Sequence, residues 1–214
     1  MNYLFDPNTQ ESFLQKFLKR DEIVSKKFAF YWGERLQINK YKNTTNFLHY
    51  SCSGIVWLVG LFAFAYFSSH HFIEVEINLL MILLFDIVVV SIVKAYVQRD
   101  PPSYCDTHPL NMDMNFFSFP SGYTTRATLI LMYFTIFYPL PVILWIPVYL
   151  WFCAICLTRV LLRKHYLLDV FGGIMIASIE GIILSYFLVD KDTALDLFNW
   201  ISDEKTVGSD AEVL

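Results

Sequence analysis

Between two long apolar runs lies the stretch Thr158-Arg159-Val160-Leu161-Leu162-Arg163-Lys164-His165-Tyr166-Leu167-Leu168-Asp169. His165 and Asp169 are four positions apart, so on a helical turn they share one face and the carboxylate can orient the imidazole. Arg159, Arg163 and Lys164 add fixed positive charge. Cations around an oriented imidazole suit attack on phosphorus, where charge spreads over the non-bridging oxygens. A juxtamembrane cluster that only sets topology is the alternative interpretation.

The composition indicates a membrane protein. The 214 residues are 56% hydrophobic, 18% aromatic and 17% charged, which is more apolar than an ordinary soluble domain. A membrane span needs about 20 apolar residues, and the apolar runs here suffice for several. The sequence therefore predicts an all-α fold: a polytopic helical bundle of about five transmembrane helices. We expect membrane lipids as partners and no nucleic acid.

The apolar runs give the approximate limits of these spans. They are residues 47–67, 77–93, 124–137, 142–157 and 170–188. A few polar residues, Ser68 to His71, separate the first two spans and predict a helical hairpin. The chain then divides into a cytosolic amphipathic segment 1–45, a membrane-embedded region 46–189 and an acidic tail 190–214.

The amino-terminal segment carries a helical pattern. From Phe13 to Tyr31, apolar residues recur every three to five positions among lysines. This pattern predicts an amphipathic helix along the membrane surface, with a packed cytosolic helix as the alternative.

The distribution of charge predicts the orientation. Eight of the 16 Lys and Arg precede residue 45, and seven of the 20 acids follow residue 189. By the positive-inside rule the amino terminus is cytosolic and the tail lies on the other side. The polar clusters at residues 94–99, 120–123 and 159–169 then all face the cytosol.

Two acids, Asp86 and Glu180, fall inside predicted spans. Such residues usually face the interior of a helical bundle. They could form a proton path or join helices to one another. We favour the joining role, because no chain of intramembrane Lys or Arg accompanies them.

Three motifs follow one another along the chain. They are Lys94 with Arg99 and Pro101-Pro102; Phe119-Pro120-Ser121-Gly122-Tyr123; and Thr158-Arg159 with His165 and Asp169. This order resembles the type-2 phosphatidic acid phosphatase and haloperoxidase superfamily, whose signatures are Lys then Arg-Pro, Pro-Ser-Gly-His, and Arg with His and Asp.

The third signature is complete, and the resemblance covers about half of the chain. Further details resemble the polyisoprenoid diphosphate phosphatases, such as presqualene diphosphate phosphatase. They are Leu84-Phe85-Asp86-Ile87-Val88, Asn111-Met112-Asp113-Met114 and Thr125-Arg126-Ala127.

The resemblance implies a role for each matching residue. His165 would attack phosphorus and form a phosphohistidine, while Asp169 would hold its other ring nitrogen. The phosphoryl oxygens would be bound by Lys94, Arg159, the Ser121 hydroxyl and the Gly122 backbone N–H. A glycine there lets the backbone approach the anion closely, at the amino terminus of a helix. The resemblance implies no metal and no other cofactor.

The sequence departs from the family pattern at two positions. Where the family has the Arg of its first signature this chain has Pro101, and Arg99 is the nearest arginine that could bind phosphate. Tyr123 replaces the histidine that protonates the leaving group. Tyrosine, with a reference pKa of about 10, is a poor acid at neutral pH. This loss matters least when the leaving group is itself a phosphate, so Tyr123 favours diphosphate substrates.

Two functions therefore stay open. The first is an integral-membrane phosphatase of the endoplasmic reticulum or nuclear envelope that hydrolyses a lipid phosphate or diphosphate, in particular an isoprenoid one. The second is a weak or inactive relative that binds lipid phosphates or serves as a membrane scaffold. The intact Arg159, His165 and Asp169 favour the enzyme, whereas Pro101 and Tyr123 favour the scaffold.

Overall fold

The computed structural model describes residues 13–67, 72–103 and 117–197, and within these ranges the chain forms helices and no strand. The main helices are α1 (Phe13–Arg35), α2 (Lys42–Ser51), α3 (Gly54–Phe67), α4 (Ile73–Val97), α5 (Gly122–Met132), α6 (Trp145–Leu161) and α7 (Leu167–Leu184). Short 3₁₀ helices cover Ile38–Tyr41 and Val142–Leu144, and a π-helix covers Tyr133–Phe137. The prediction of an all-α membrane bundle is confirmed.

The helices differ in their ability to cross a membrane. Three are long and apolar enough to span it: α4, α6 with its 3₁₀ lead-in, and α7. A fourth span results if α2 and α3, which meet at a 60° bend, count as one. Each of the five predicted spans contains helix, but the first one covers parts of both α2 and α3. However, α5 and its π-helix extend only over residues 122–137, which is shorter than the about 20 residues of a typical span.

Helix α5 occupies the centre of the bundle and packs against α4, α6 and α7. Its side chains Thr124, Thr125, Arg126 and Thr128 are all buried. Arg126 Nη2 lies 3.0 Å from Oδ2 of the fully buried Asp86 in α4. Asp86 is thus paired across two helices, as the joining role requires. The sequence interpretation had overlooked Arg126 as the intramembrane cation.

Large apolar side chains cover the outside of the bundle. On the 3₁₀ lead-in and α6 the exposed residues include Val142, Ile143, Ile146 and Leu150. On α7 they include Phe171, Met175, Ile179 and Ile182. An apolar surface of this extent is expected where lipid, and not water, surrounds the protein.

Helix α1 lies against α6 and α7. Ser25 and Ala29 are buried on its packed side, and Ala29 contacts Val160 and Val170. The apolar Phe13 and Val24 stay exposed. Helix α1 therefore packs on the bundle, and its position along a membrane surface stays a prediction.

Several sequence predictions fall outside the described residues. They concern the hairpin residues Ser68 to His71, the Asn111–Met114 motif, and residues 198–214 of the acidic tail. Residues 191–197, at the start of that tail, are helical.

Candidate active site

The three motifs meet where α4 ends and where α5 and α7 begin. Gln98, which follows α4, has a φ of 49° in the left-handed region and turns the chain away from the helix axis. The segment just before α5 is hydrogen-bonded to the segment that follows α4. The Ser118 N–H donates to the Arg99 carbonyl at 2.8 Å, and the Ser118 hydroxyl donates to the Asp100 carbonyl at 3.1 Å. The first and second motifs are joined in this way.

A compact loop between α6 and α7 forms the third motif. Arg163 adopts φ 60°, and the backbone N–H groups of Lys164 and His165 both donate to the Arg159 carbonyl, at 3.2 and 3.3 Å. The loop therefore folds back on the end of α6. It brings His165 close to Arg159 and leaves the imidazole only 4% exposed.

His165 is held through Nδ1. This nitrogen lies 2.8 Å from the Ser118 carbonyl oxygen and 3.8 Å from Oδ2 of Asp169. A carbonyl can only accept a hydrogen bond, so we assign the proton to Nδ1, which leaves the lone pair on Nε2. The Ser118 carbonyl thus accepts the Nδ1 hydrogen bond that the resemblance assigns to Asp169. The Asp169 carboxylate lies farther from Nδ1, at 3.8 Å.

Burial and the nearby cations favour the neutral form of His165. Burial lowers the pKa of the imidazole, the Asp169 carboxylate opposes this effect, and the nearby cations Lys94 and Arg159 lower the pKa further. A neutral imidazole is the nucleophilic form.

Asp169 is bound on both of its oxygens. Oδ2 accepts the Tyr166 N–H at 2.8 Å, which fixes the first turn of α7. Oδ1 accepts from Nη1 of Arg99 at 2.7 Å. Nη2 of the same arginine lies 2.6 Å from Oδ2 of Asp21 in α1. Arg99, proposed from the sequence as a phosphate ligand, thus binds two carboxylates; its contact with phosphate stays a prediction.

The expected phosphate-binding groups lie around this centre. Lys94 Nζ donates to the Phe117 carbonyl at 2.7 Å. Ser121 is fully buried, accepts the Thr124 hydroxyl at 3.0 Å, and donates its backbone N–H to the Asp169 carbonyl at 3.1 Å. Gly122 begins α5 directly afterwards.

Packing alone does not demand glycine at position 122. A Cβ there would meet only Val90 Cγ1, at 3.4 Å, an ordinary contact. A requirement for glycine at this position would come from a ligand approaching the backbone.

Glycines in α7 were missed in the sequence analysis. A Cβ on Gly173 would lie 3.1 Å from the Ser121 carbonyl and 3.2 Å from Thr124 Cβ. A Cβ on Gly172 would clash with the Phe119 ring. The Gly172-Gly173 pair therefore lets the start of α5 approach α7, and it could have been noticed as a paired glycine inside a predicted span.

His49 of α2 is a further residue that the sequence analysis did not select. Its Nε2 lies 3.2 Å from the Tyr123 hydroxyl, and its Nδ1 lies 3.4 Å from Nη1 of Arg159. The buried Arg159 guanidinium also stacks over the Tyr123 ring, 4.4 Å from its centroid. Arginine can only donate, so Nδ1 of His49 accepts and Nε2 carries the proton. His49 then donates to the Tyr123 oxygen, so the phenolic proton of Tyr123 is not used in this hydrogen bond.

A break in the first predicted span positions His49. Helix α2 ends at Ser51 and α3 begins at Gly54. Between them the Cys52 carbonyl accepts from Arg126 Nη1 at 3.1 Å, and the Cys52 thiol donates to the Tyr123 carbonyl at 3.1 Å. The run of small residues 51–54 inside an apolar stretch was the available signal for this break.

The polar groups of the site are the buried His165 imidazole, nearby cations and the carboxylates Asp21 and Asp169. Among the described residues no group of three or more His, Cys, Asp and Glu side chains could hold a metal ion. A buried imidazole with the cations Lys94 and Arg159 nearby, at the end of a helical bundle, is suited to binding a phosphate group.

Comparison with known families agrees with this assignment. The model of the PAP2 superfamily matches residues 76–192, more than half of the chain, and the chain belongs to this superfamily. Among solved structures, it is similar to the crystal structure of a transmembrane PAP2-type phosphatidylglycerolphosphate phosphatase from Bacillus subtilis. The TM-score is 0.53 at 18% identity, over 80% of this chain and 86% of the other. This second similarity supports the fold.

Proposed function

We propose that this protein hydrolyses lipid phosphates or diphosphates through a phosphohistidine on His165. The observation that carries the proposal is the Nδ1 hydrogen bond of the buried His165 to the Ser118 carbonyl, which leaves the lone pair on Nε2 in a site whose nearby cations are Lys94 and Arg159. Lys94 and Arg159 would bind the non-bridging oxygens, whose negative charge they stabilise in the transition state.

The reaction has two displacement steps. Nε2 of His165 forms a bond to the terminal phosphorus while the bond from phosphorus to the bridging oxygen breaks, and the lipid-bearing group departs with that electron pair. Water then attacks the phosphohistidine, the P–N bond breaks, and inorganic phosphate leaves with one proton released to solvent. His165 returns to its neutral form, and no cofactor takes part in the proposed steps.

The proposed substrate is an isoprenoid diphosphate. Tyr123 can donate a hydrogen bond to the bridging oxygen but cannot readily lose its proton, because the reference pKa of tyrosine is about 10. A departing phosphate has a pKa near 6 and needs no proton at neutral pH, whereas an alkoxide does. The motifs shared with the polyisoprenoid diphosphate phosphatases support the same substrate class.

The proposed location is the endoplasmic reticulum or nuclear envelope, with the amino terminus and the active site in the cytosol. The excess of basic residues before residue 45 supports this orientation. Asn43 lies in a glycosylation sequon at the exposed start of α2 and provides a test. The proposal requires Asn43 to stay unmodified in microsomes. Glycosylation of Asn43 would show that the amino terminus lies in the lumen, opposite to the proposed orientation.

A membrane scaffold that binds lipid phosphates is the second candidate. The contacts of Arg99 favour it, because this arginine binds Asp21 and Asp169. Pro101 stands where the family has its arginine, so one phosphate ligand of the family is lacking.

One assay separates the two candidates. The protein would be purified in detergent and phosphate release measured from farnesyl diphosphate, farnesyl monophosphate and phosphatidic acid. Turnover that is lost in His165→Ala, with a phosphohistidine trapped only in the wild type, supports the enzyme. Binding of these lipids without turnover in the wild type would instead establish the scaffold.

A further inference from the structure

We propose that Asp21 of α1 is a positioning residue of the active site, which holds Arg99 against Asp169 and the first turn of α7 in place. The inference deepens the proposed function and rests on it for its kinetic test. It also makes α1 part of the catalytic unit, although the sequence suggested a separate segment 1–45.

Two short ion pairs form a continuous connection. Asp21 Oδ2 lies 2.6 Å from Nη2 of Arg99, and Nη1 of Arg99 lies 2.7 Å from Oδ1 of Asp169. The Asp21 and Arg99 side chains are 9% and 12% exposed, and the Asp169 side chain is fully buried. Charge-assisted hydrogen bonds of this length, shielded from water, fix the geometry of the groups that they join. The orientation of Asp169 thus depends on a carboxylate of α1.

The same carboxylate caps α7. The first N–H groups of a helix have no partner within it and need one from elsewhere. Here the Leu168 N–H donates to Asp21 Oδ1 at 3.1 Å, and the Leu167 N–H donates to the Ser25 hydroxyl at 2.9 Å. Ser25 in turn donates to Asp21 Oδ1 at 3.1 Å. Since α1 supplies this cap, it fixes the turn that carries Asp169.

Charge balance gives Asp21 a second effect. Arg99 stands between two carboxylates, and each attracts the guanidinium from its own side. Without the charge of Asp21, Arg99 pairs with Asp169 alone and compensates its charge more fully. Asp169 then stabilises a positive charge on His165 less well, both before and during phosphoryl transfer.

Other contacts keep α1 in place when Asp21 is changed. Ala29 packs against Val160 and Val170, and the Arg163 guanidinium stacks on the Phe30 ring at 4.1 Å. The variant Asp21→Asn also keeps an oxygen that can accept the Leu168 N–H. We therefore expect this variant to fold, which makes its kinetics interpretable.

The kinetic test compares Asp21→Asn, Arg99→Gln, the double variant and Glu22→Gln on farnesyl diphosphate. Glu22 is the matched control, because it is exposed and one position further along α1. Asp21→Asn should lower kcat by about 10–100-fold, the effect typical of a group that orients a reacting residue, with little change in KM. The double variant should be no slower than Arg99→Gln, since Asp21 acts through Arg99. Multiplied effects, or a kcat equal to that of Glu22→Gln, would overturn the proposal.

A second readout needs no turnover. The His165 ring would be titrated by NMR in the wild type, Asp21→Asn and Glu22→Gln. The charged groups that act on this ring are Asp169, Lys94 and Arg159, and Arg99 acts through Asp169. Loss of the Asp21 charge should lower the pKa of His165, and loss of Glu22 should leave it unchanged. An unchanged titration in Asp21→Asn contradicts the positioning role, even if the wild type has no phosphatase activity and only the proposed function fails.

Discussion

The Tyr123 hydroxyl lies 3.2 Å from Nε2 of His49, although 74 positions separate the two residues in the chain. This contact places an imidazole beside Tyr123, the residue that stands where the family pattern has a histidine. The contact of His49 with Arg159 assigns the proton to Nε2, so His49 is a neutral hydrogen-bond donor to Tyr123. We interpret His49 as the group that orients the phenol.

Removal of His49 should therefore have a moderate effect. A hydrogen bond between neutral groups contributes about 0.5–1.5 kcal/mol, so His49→Leu should lower kcat for farnesyl diphosphate roughly 2- to 10-fold. Tyr50→Phe is the control, because Tyr50 is exposed and adjacent. A loss that is selective for the monophosphate would contradict the neutral assignment and would show that His49 itself delivers a proton.

Asp169→Asn should change the pH dependence as well as the rate. The Nδ1 hydrogen bond to Ser118 keeps the tautomer of His165 fixed, so the loss should be about 10–100-fold and not the about 10⁴-fold known for a serine-protease triad. The carboxylate stabilises the imidazolium, so its removal should lower the pKa of His165 further. Activity is lost when His165 is protonated, and the acid limb of kcat/KM should therefore move to lower pH. An acid limb that moves to higher pH would exclude this arrangement.

Much of the site could be predicted from the sequence because its residues lie in local patterns. His165 and Asp169 are four positions apart, at the end of the loop before α7 and in its first turn. Gly122 begins a helix, and the family order joins Lys94 and Arg159 to them. Contacts between distant segments could not be predicted. Asp21, His49 and Ser118 are ordinary residues in the sequence, and only the packing of α1 and the break after α2 bring the first two to the site.

The number of membrane spans also could not be predicted from the sequence, because it depends on how the helices pack. Residues 124–137 are apolar enough to suggest a span, but hydropathy does not reveal that α5 is surrounded by protein. The buried polar residues Thr124, Thr125 and Arg126 are tolerated there because neighbouring helices supply their partners. Asp86 was recognised as an interior residue, whereas its partner Arg126 was assigned only to a family motif.

The Asp86–Arg126 pair should be important for stability. Asp86→Ala leaves a buried guanidinium without its carboxylate, which typically costs about 3–5 kcal/mol. We expect a clearly lower Tm in detergent, and partial recovery in a variant that combines Asp86→Leu with Arg126→Leu. Ser91→Ala, an exposed change on the same helix, is the control. Loss of turnover at an unchanged Tm would support a proton path through Asp86 and not a joining role.

The chemistry of the leaving group predicts that Tyr123 selects the substrate. A lipid alkoxide is the conjugate base of an alcohol about as weakly acidic as water, so it needs a proton to depart. A phosphate leaving group, with a pKa near 6, does not. A general acid typically contributes about 10²–10⁴-fold, and this factor should be missing mainly for monophosphates.

Tyr123→His should therefore raise kcat/KM for farnesyl monophosphate far more than for farnesyl diphosphate. The new imidazole would lie in the same place, beside His49 and Arg159, and could surrender a proton at neutral pH because its reference pKa is about 6.5. Tyr123→Phe is the matched control, since it removes the hydroxyl but keeps the ring under Arg159. Tyr123→Phe should slow hydrolysis of the diphosphate modestly, and the monophosphate should remain a poor substrate. A wild type that hydrolyses both substrates equally fast would show that another group acts as the acid, and the preference argued from Tyr123 would then be wrong.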